Sequence, residues 1–337
     1  MPNVEEKITF GLELEGVTAS PRSNDIALQH NFTKRYDHSI RYDDGSPMPN
    51  SLEAGGGFEF ITPPYAVNVS MTNTGERLVL SQTTTTNVDG FIRPVSNIVQ
   101  DLCRCISHSN GSCGIHIHLG KPSRPDSLFT SRWEPEKVRT MLAIGLMLES
   151  RIFEVVPSSR LANRHCAGIR EKYSNNDLGQ FYPTGAVAAR KYENAKRYCW
   201  LNLIETRRAG DDPRPGRGSS LALGTVEVRA LGDTTSSEYI EAWLWMWLKI
   251  AAYVAHLPTS LAILRCGLSQ EFESDFDRLS KLRPTTSTTP NFLRPTDGDF
   301  AEPPTVISVS PPVVAEQGQR LRRGIRRSPT VTASPVN

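Results

Sequence analysis

The sequence predicts an α+β fold in which helices cover one face of an antiparallel sheet. Three observations lead there. Four separated segments alternate apolar residues with charged or imidazole ones, the period-2 signature of a strand. Longer apolar stretches between and after them carry helical spacing. Near Leu282 the composition changes, and from Arg283 to Asn337 the chain is rich in Pro, Thr and Ser with few large apolar residues. Such a tail cannot bury enough apolar surface to offset its ordering entropy. The expected organisation is one domain over residues 1–282 and a disordered tail over residues 283–337.

The strands come first because they carry the chemistry. In Ile8–Glu15, Ile8, Phe10, Leu12 and Leu14 share one face, and Glu13 and Glu15 share the other. In the second segment, Gly57–Pro64, Glu59 sits between Phe58 and Phe60. The third, Cys113–Gly120, sets His116 and His118 on one face and Ile115, Ile117 and Leu119 on the other. In the fourth, Gly224–Leu231, Glu227 and Arg229 share a face.

Three helices are expected. Ser131 with Glu134 resembles a capping box ahead of Pro135, opening a helix that runs to about Val156. A second, largely buried, spans about Ser236 to His256, and a third covers Val95 to Ser107. Gly16–Pro49, Asn68–Asp89 and Glu205–Ser220 are polar and rich in turn residues or in Thr and Ser, and read as loops. Gly55-Gly56-Gly57 precedes a strand and not a helix N-terminus, so it reads as a flexible turn and not as a phosphate cradle.

Bulk properties exclude some roles. Thirty-eight basic residues against thirty-six acidic ones give a formal charge of +2, which calls for no nucleic-acid and no membrane partner. Six cysteines in 337 residues do not make a disulfide scaffold, and no CxxC pair offers a zinc site. Met1–Phe10 has no apolar core of signal-peptide length. The longest apolar stretch, Trp243–Leu257, is interrupted by Lys249 and His256 and is short for a bilayer. An intracellular setting, cytoplasmic or nuclear, is expected. Arg320, Arg322, Arg323, Arg326 and Arg327 form a basic run in the tail, read either as a solvated segment or as a nuclear-import or anion-binding motif.

If the four strands join one sheet, its second face gathers Glu13, Glu15, Glu59, His116, His118, Glu227 and Arg229. Carboxylates so placed repel one another unless cations intervene. Carboxylate oxygens suit Mg²⁺ and Mn²⁺, and an imidazole is compatible with Mn²⁺. A plain solvated sheet face also alternates, so one such strand says little. Here, however, Glu recurs although strands disfavour it, and Lys is absent from those faces.

In order and spacing, these segments resemble the amidoligase family of carboxylate–amine ligases, within the glutamine synthetase and glutamate–cysteine ligase superfamily. The matching pieces are Phe10–Glu15, Asp44-Gly45-Ser46, Phe58–Pro64, Cys113–His118, Pro157–Arg160, Arg197–Leu203 and Thr225–Arg229 with Asp233-Thr234. The resemblance spans roughly residues 8 to 260 and implies a curved, glutamine synthetase-like sheet. It implies that Glu13, His116 and Glu227 hold one divalent ion, and Glu15 and Glu59 another. His118 would contact ATP phosphates, and Arg229 would steady the transferred phosphoryl group or the substrate carboxylate. Arg160, Arg197 and Asn202 would contact phosphate or substrate. Pro47 follows Ser46 where the family continues with a hydrophobic residue, so Asp44 reads equally as a structural turn.

The expected reaction is ATP-dependent amide formation. ATP phosphorylates a small-molecule or peptide carboxylate, and an amine displaces the phosphate. Glu59 or Asp44 would take the amine proton. Other readings stand beside it: a metal-dependent hydrolase using His116 and His118, an inactive binding module on the same sheet, and a phosphotransferase that stops at the first step. No GxxxxGK[ST] loop is present, which argues against a P-loop enzyme and not against ATP.

Overall fold

In the computed structural model the described residues are 4–71, 78–79, 84–87, 92–122, 130–131, 133–161, 163, 166–172, 199–202, 225–268 and 270–283. The chain divides into a unit over Met1–Arg294 and another over Pro295–Asn337, and every described residue belongs to the first. Arg197, the Glu205–Ser220 stretch and the tail beyond Arg283 lie outside the described residues.

In chain order the strands are β1 (Val4–Gly16), β2 (Thr18–Ala19), β3 (Thr33–Tyr36), β4 (Phe58–Ile61), β5 (Tyr65–Met71), β6 (Leu78–Val79), β7 (Thr84–Asn87), β8 (Ile92–Pro94), β9 (Ile106–His108), β10 (Gly114–Pro122), β11 (Thr130–Ser131), β12 (Leu201–Asn202) and β13 (Val226–Gly232). The helices are α1 (Ser23–His30), α2 (Val95–Arg104), α3 (Pro135–Val155), α4 (Ser158–Leu161), α5 (Ile169–Lys172), α6 (Ser237–His256), α7 (Thr259–Leu268) and α8 (Gln270–Leu282). The fold is α+β with an antiparallel sheet, in the order β12-β13-β10-β1-β5-β7-β8.

Strand β1 organises this sheet. It pairs with β10 along one edge, and on the other with β5 through its first half and β4 through its last residues. Ile8, Phe10, Leu12 and Leu14, alternating along it, are all buried in the core. Helix α6 packs against β1 and β10 and also meets α2, α3, α7 and α8. A helix in that position must be apolar on every side, and Tyr239, Trp243, Trp247, Leu248 and Tyr253 are all buried. Trp243 and Trp247 meet edge-on at 6.0 Å, and Trp247 reaches Trp200 at 5.8 Å.

Several expectations need correction. The start of α3 is not a capping box. Ser131 belongs to β11, opposite Lys121 of β10, and the N-cap is Glu134, which makes no side-chain cap bond. Pro135 suffices there, because its fixed φ suits the first turn and its missing N–H would have had no partner anyway. Helix α2 stops at Arg104 instead of Ser107. Cys105 N–H turns back to Leu102 O, and Ile106 then pairs with Ala19 in a separate β2–β9 ladder. Long-range pairing here overrides a helical pattern.

Gly16–Pro49 is not a loop but contains β2, α1 and β3. Helix α1 buries little beyond Ile26 and Ala27, so its sequence shows no broad apolar stripe. Asn68–Asp89 likewise holds the end of β5 and all of β6 and β7. Its threonines are β-branched and suit strands as well as turns. Gly55-Gly56-Gly57 is a packed turn and not a flexible one. Gly55 sits at φ +81°, and a Cβ on Gly56 would lie 2.2 Å from Pro49 O.

Helix α6 begins where the sequence places it. Ser236 Oγ accepts the Tyr239 N–H at 3.4 Å. Because that bond is long, Ser236→Ala should cost only about 0.5 kcal/mol, at the low end for an N-cap. Urea unfolding of the two proteins measures it.

Candidate functional site

Register decides which side chains meet. Glu13 of β1 stands opposite His116 of β10, and Glu15 opposite Glu59 of β4. His118 stands opposite Glu227 of β13, which has Asn202 of β12 on its other side. Between β10 and β13 the pairing steps from Ile115–Leu231 to Ile117–Val228, leaving His116 opposite both Arg229 and Ala230. Such a bulge re-aims a strand residue, and here it lies beside the acidic cluster.

These pairings produce direct contacts. His116 Nδ1 lies 2.9 Å from Glu13 Oε2 and 3.2 Å from Glu227 Oε1, and its Nε2 lies 3.5 Å from Glu15 Oε1. His118 Nε2 is 3.1 Å from Glu13 Oε1, and its Nδ1 meets Thr225 Oγ1 at 3.1 Å. Arg229 Nε is 3.1 Å from Glu227 Oε1. Asn202 Nδ2 donates to Glu227 Oε2 at 2.5 Å. Glu15 accepts the Gly114 N–H.

The cluster is not a solvated sheet face. Glu15, His116 and Glu227 are each 4% exposed. Charges withdrawn this far from water must be paired or must change protonation state. Both outcomes occur. Burial raises the Glu13 carboxyl, but the charge of His118 and hydrogen bonds from His116 and His118 outweigh it and hold the group well below its usual range. Burial also raises Glu227, and Arg229, His116 and His118 more than reverse it. Burial disfavours the charged Arg229 guanidinium, yet Glu227, Glu15 and Glu13 raise it further.

The second group is not balanced in this way. Burial leaves Glu15 raised despite His116 and Arg160. Glu59 is pushed up to about 8 by burial and by Glu13, Glu15 and Asp37, with only Arg35 of β3 opposing.

Two sets of ligand atoms emerge. One oxygen or nitrogen from each of Glu13, His116 and Glu227 lies within 4.8 Å of the others, and the same holds for Glu15, Asp37 and Glu59. His116 therefore stands between the sets, one ring nitrogen towards each. His118 falls in neither group among the described residues.

The remaining expected residues behave differently. Asp44 is exposed and binds its own turn: its Oδ1 accepts from Ser46 N at 2.8 Å and from Ser46 Oγ at 2.6 Å, with Gly45 at φ +81°. That fits the turn reading and not a base in the cluster. Arg160, 2% exposed, donates to Cys113 O at 3.3 Å and Arg229 O at 2.8 Å. It ties Cys113, just before β10, to the middle of β13 through backbone carbonyls.

Sequence reading missed Asp37, Thr225 and Gly114. Asp37 was assigned to a loop. Once β3 is recognised, Arg35 stands opposite Glu59, and Asp37 two residues on shares its face. Thr225 shares parity with Glu227 and was within reach of the same rule. Gly114 matters through space, because a Cβ there would lie 2.6 Å from His116 Nε2 and 3.2 Å from Glu15 Oε2.

Compared with protein-family models and with curated proteins, the chain matches neither a family model nor a curated sequence. No helix among the described residues is long and apolar enough to cross a membrane.

Two predictions follow from this geometry. Burial and the neighbouring carboxylates push the folded Glu59 carboxyl up to about 8, well above the usual carboxylate range. Its favourable contribution is full below the unfolded value and disappears as pH rises through the folded one. In chelator, wild-type stability should fall by on the order of 2 kcal/mol between about pH 5 and about pH 8, and Glu59→Gln should flatten that slope. Urea midpoints across pH measure both. Gly114→Ala should destabilise by about 1–3 kcal/mol, because the methyl group has no room beside His116; thermal unfolding in chelator tests it.

Proposed function

We propose that this chain is an ATP-dependent carboxylate–amine ligase with a glutamine synthetase-like catalytic sheet. The observation that carries the reading is the pair of neighbouring ligand groups, with His116 a member of the first and its other ring nitrogen turned towards Glu15 of the second. Their donors are carboxylate oxygens with one imidazole, a set that fits Mg²⁺ or Mn²⁺ better than thiolate-loving metals. Glu13, His116 and Glu227 would hold one ion, and Glu15, Glu59 and Asp37 the other. When bound, such ions supply positive charge against the phosphates of ATP.

The protein's own groups account for the rest. Arg229, held by Glu227 and kept charged by its acidic neighbours, is suited to neutralise charge on the transferred phosphoryl group. His118, its ring set between Thr225 and Glu13, would meet a phosphate oxygen by giving up its Nε2 contact with Glu13. Asn202 holds Glu227 in place. In the first step a carboxylate oxygen attacks the γ-phosphorus and ADP departs. In the second the amine nitrogen attacks the acyl carbon, the C–O bond to phosphate breaks, and phosphate leaves. The amine must lose a proton, which the Glu59 carboxylate would accept. Asp44, engaged in its own turn, has no part in this proposal.

The same geometry favours the ligase over a zinc hydrolase. A zinc site built on the HxH strand needs both imidazoles in one ligand set, and here His116 groups with carboxylates while His118 hydrogen-bonds to Thr225 and Glu13.

The test is ADP and phosphate release with Mg²⁺ or Mn²⁺ across panels of amino acids and peptides, with mass analysis of products. Glu13→Gln and Glu227→Gln should each lower turnover by roughly 100-fold or more. Equal turnover in wild type and variants sinks the assignment. A phosphorylated product that persists with amine present identifies a phosphotransferase, and cleavage without ATP identifies a hydrolase.

A further inference from the structure

Among the described residues three acidic side chains are buried: Glu15, Glu227 and Glu149. The first two belong to the ligand groups, and the third belongs to neither. Glu149 stands on α3, and no lysine, arginine or histidine among the described residues pairs with it. A carboxyl group buried without a cation is costly, and an apolar residue of similar size would avoid that cost.

Its partners are two N–H groups. Glu149 Oε2 accepts from the Ile169 N–H at 2.5 Å and from the Trp200 indole at 2.7 Å. Satisfying an indole is not reason enough. Trp243 and Trp247 pack in the same aromatic group, and their buried indole N–H groups have no acceptor among the described residues. What sets Trp200 apart is where its backbone leads. Its carbonyl oxygen accepts the Arg229 N–H at 2.6 Å. Two residues on, Asn202 stands opposite Glu227 and donates to Glu227 Oε2 at 2.5 Å.

Strand β12 has little length with which to hold itself in place. It is two residues long and stands at the end of the sheet order, paired with β13. Helix α3 comes so close that a Cβ on Gly145 would lie 2.8 Å from Leu201 Cδ2 and 3.3 Å from Trp200 Cη2. Glu149 follows four residues later, on the same side of the helix. The helix therefore meets this strand by close packing at Gly145 and by a hydrogen bond at Glu149.

We propose that Glu149 is a positioning residue for the ion that Glu13, His116 and Glu227 would hold. Through the Trp200 indole it fixes β12 against α3, and through Asn202 that strand fixes the Glu227 carboxylate. The inference rests on those three residues being ion ligands. Glu15 and Glu59 lie on β1 and β4, and Asp37 follows β3; none of these strands pairs with β12, so the second ion should not respond.

Mn²⁺ titration of the full chain without nucleotide, read by electron paramagnetic resonance, tests it. Asp37→Asn strips the second group of a ligand and leaves the first ion to be read, and Glu227→Gln does the reverse. In the Asp37→Asn background, Glu149→Leu should weaken Mn²⁺ binding about tenfold, the low end for loss of a group that supports a metal ligand. Glu149→Gln keeps an oxygen for both N–H groups and should stay within about twofold of its parent. Trp200→Phe keeps an aromatic ring, loses the indole N–H, and should reproduce the loss whether or not Glu149→Leu folds. In the Glu227→Gln background the same changes should leave the remaining ion unaltered. Thermal unfolding in chelator checks that each variant is folded. A wild type that takes up no Mn²⁺ ends the ion reading and this proposal together. With two ions bound by wild type, the positioning role alone is overturned by a first ion that Trp200→Phe leaves at parent affinity, by equal weakening of both ions, or by a Glu149→Gln variant as weak as Glu149→Leu.

Discussion

Like charges buried on one face of a sheet are the constraint around which this domain is built. Glu13, Glu15, Glu59 and Glu227 come from three strands, and register alone brings them together. His116 keeps the arrangement tolerable. One ring nitrogen faces Glu13 and Glu227, and the other faces Glu15. An imidazole placed between carboxylates offers a ring nitrogen to each side without the reach or flexibility of lysine. The relief is uneven. Glu13 and Glu227 are held ionised by His118, His116 and Arg229, while Glu15 and Glu59 keep raised pKa values that reflect unrelieved burial and repulsion. That asymmetry marks the Glu15, Asp37 and Glu59 side as the one with most to gain from an added cation.

The scaffold that imposes this cost is closely packed. Behind the cluster, α6 and the apolar rows of β1 and β10 form a continuous core. Around the cluster, buried polar groups fasten strand ends. Arg160 bridges Cys113 O and Arg229 O. Glu149 of α3, 7% exposed, accepts from the Trp200 indole at 2.7 Å and the Ile169 N–H at 2.5 Å. Trp200 leads directly into β12, whose Asn202 holds Glu227, so a carboxylate on a distant helix helps fix a ligand on the sheet. Buried polar contacts of this kind favour one arrangement of the strands over others.

Legibility from sequence followed the strength of the periodic signal. Four strands with strict alternation displayed their faces, and the cluster of Glu13, Glu15, Glu59, His116, His118, Glu227 and Arg229 came from that rule alone. Asp37 escaped because β3 is short and follows a weakly amphipathic helix, so the alternation that would have exposed it was taken for a loop. The false capping box at Ser131 and the extra turn given to α2 fail for one reason. In both places a strand pairing claims residues whose local pattern is compatible with a helix. Roles carried by a side chain's partner, as with Arg160 and Asp44, were beyond reach, since whether a charge binds backbone, its own turn or a neighbour depends on contacts made in space.

The two faces of β4 sharpen the point. Glu59 belongs to the carboxylate cluster, while Phe58 and Phe60 turn to the opposite face, where both are buried and Lys34 lies over their rings. At the start of this strand, Asp37 N–H donates to Gly57 O at 2.9 Å, and Gly57 leaves no room for a side chain against Ile40 and Asp37 O. One tight crossing thus sets the position of Asp37 beside Glu59. Because the strand's residues alternate, a displacement of its backbone cannot favour one face without altering the other. The glycines at this turn therefore matter less for flexibility than for the close approach that holds both faces of one short strand in register.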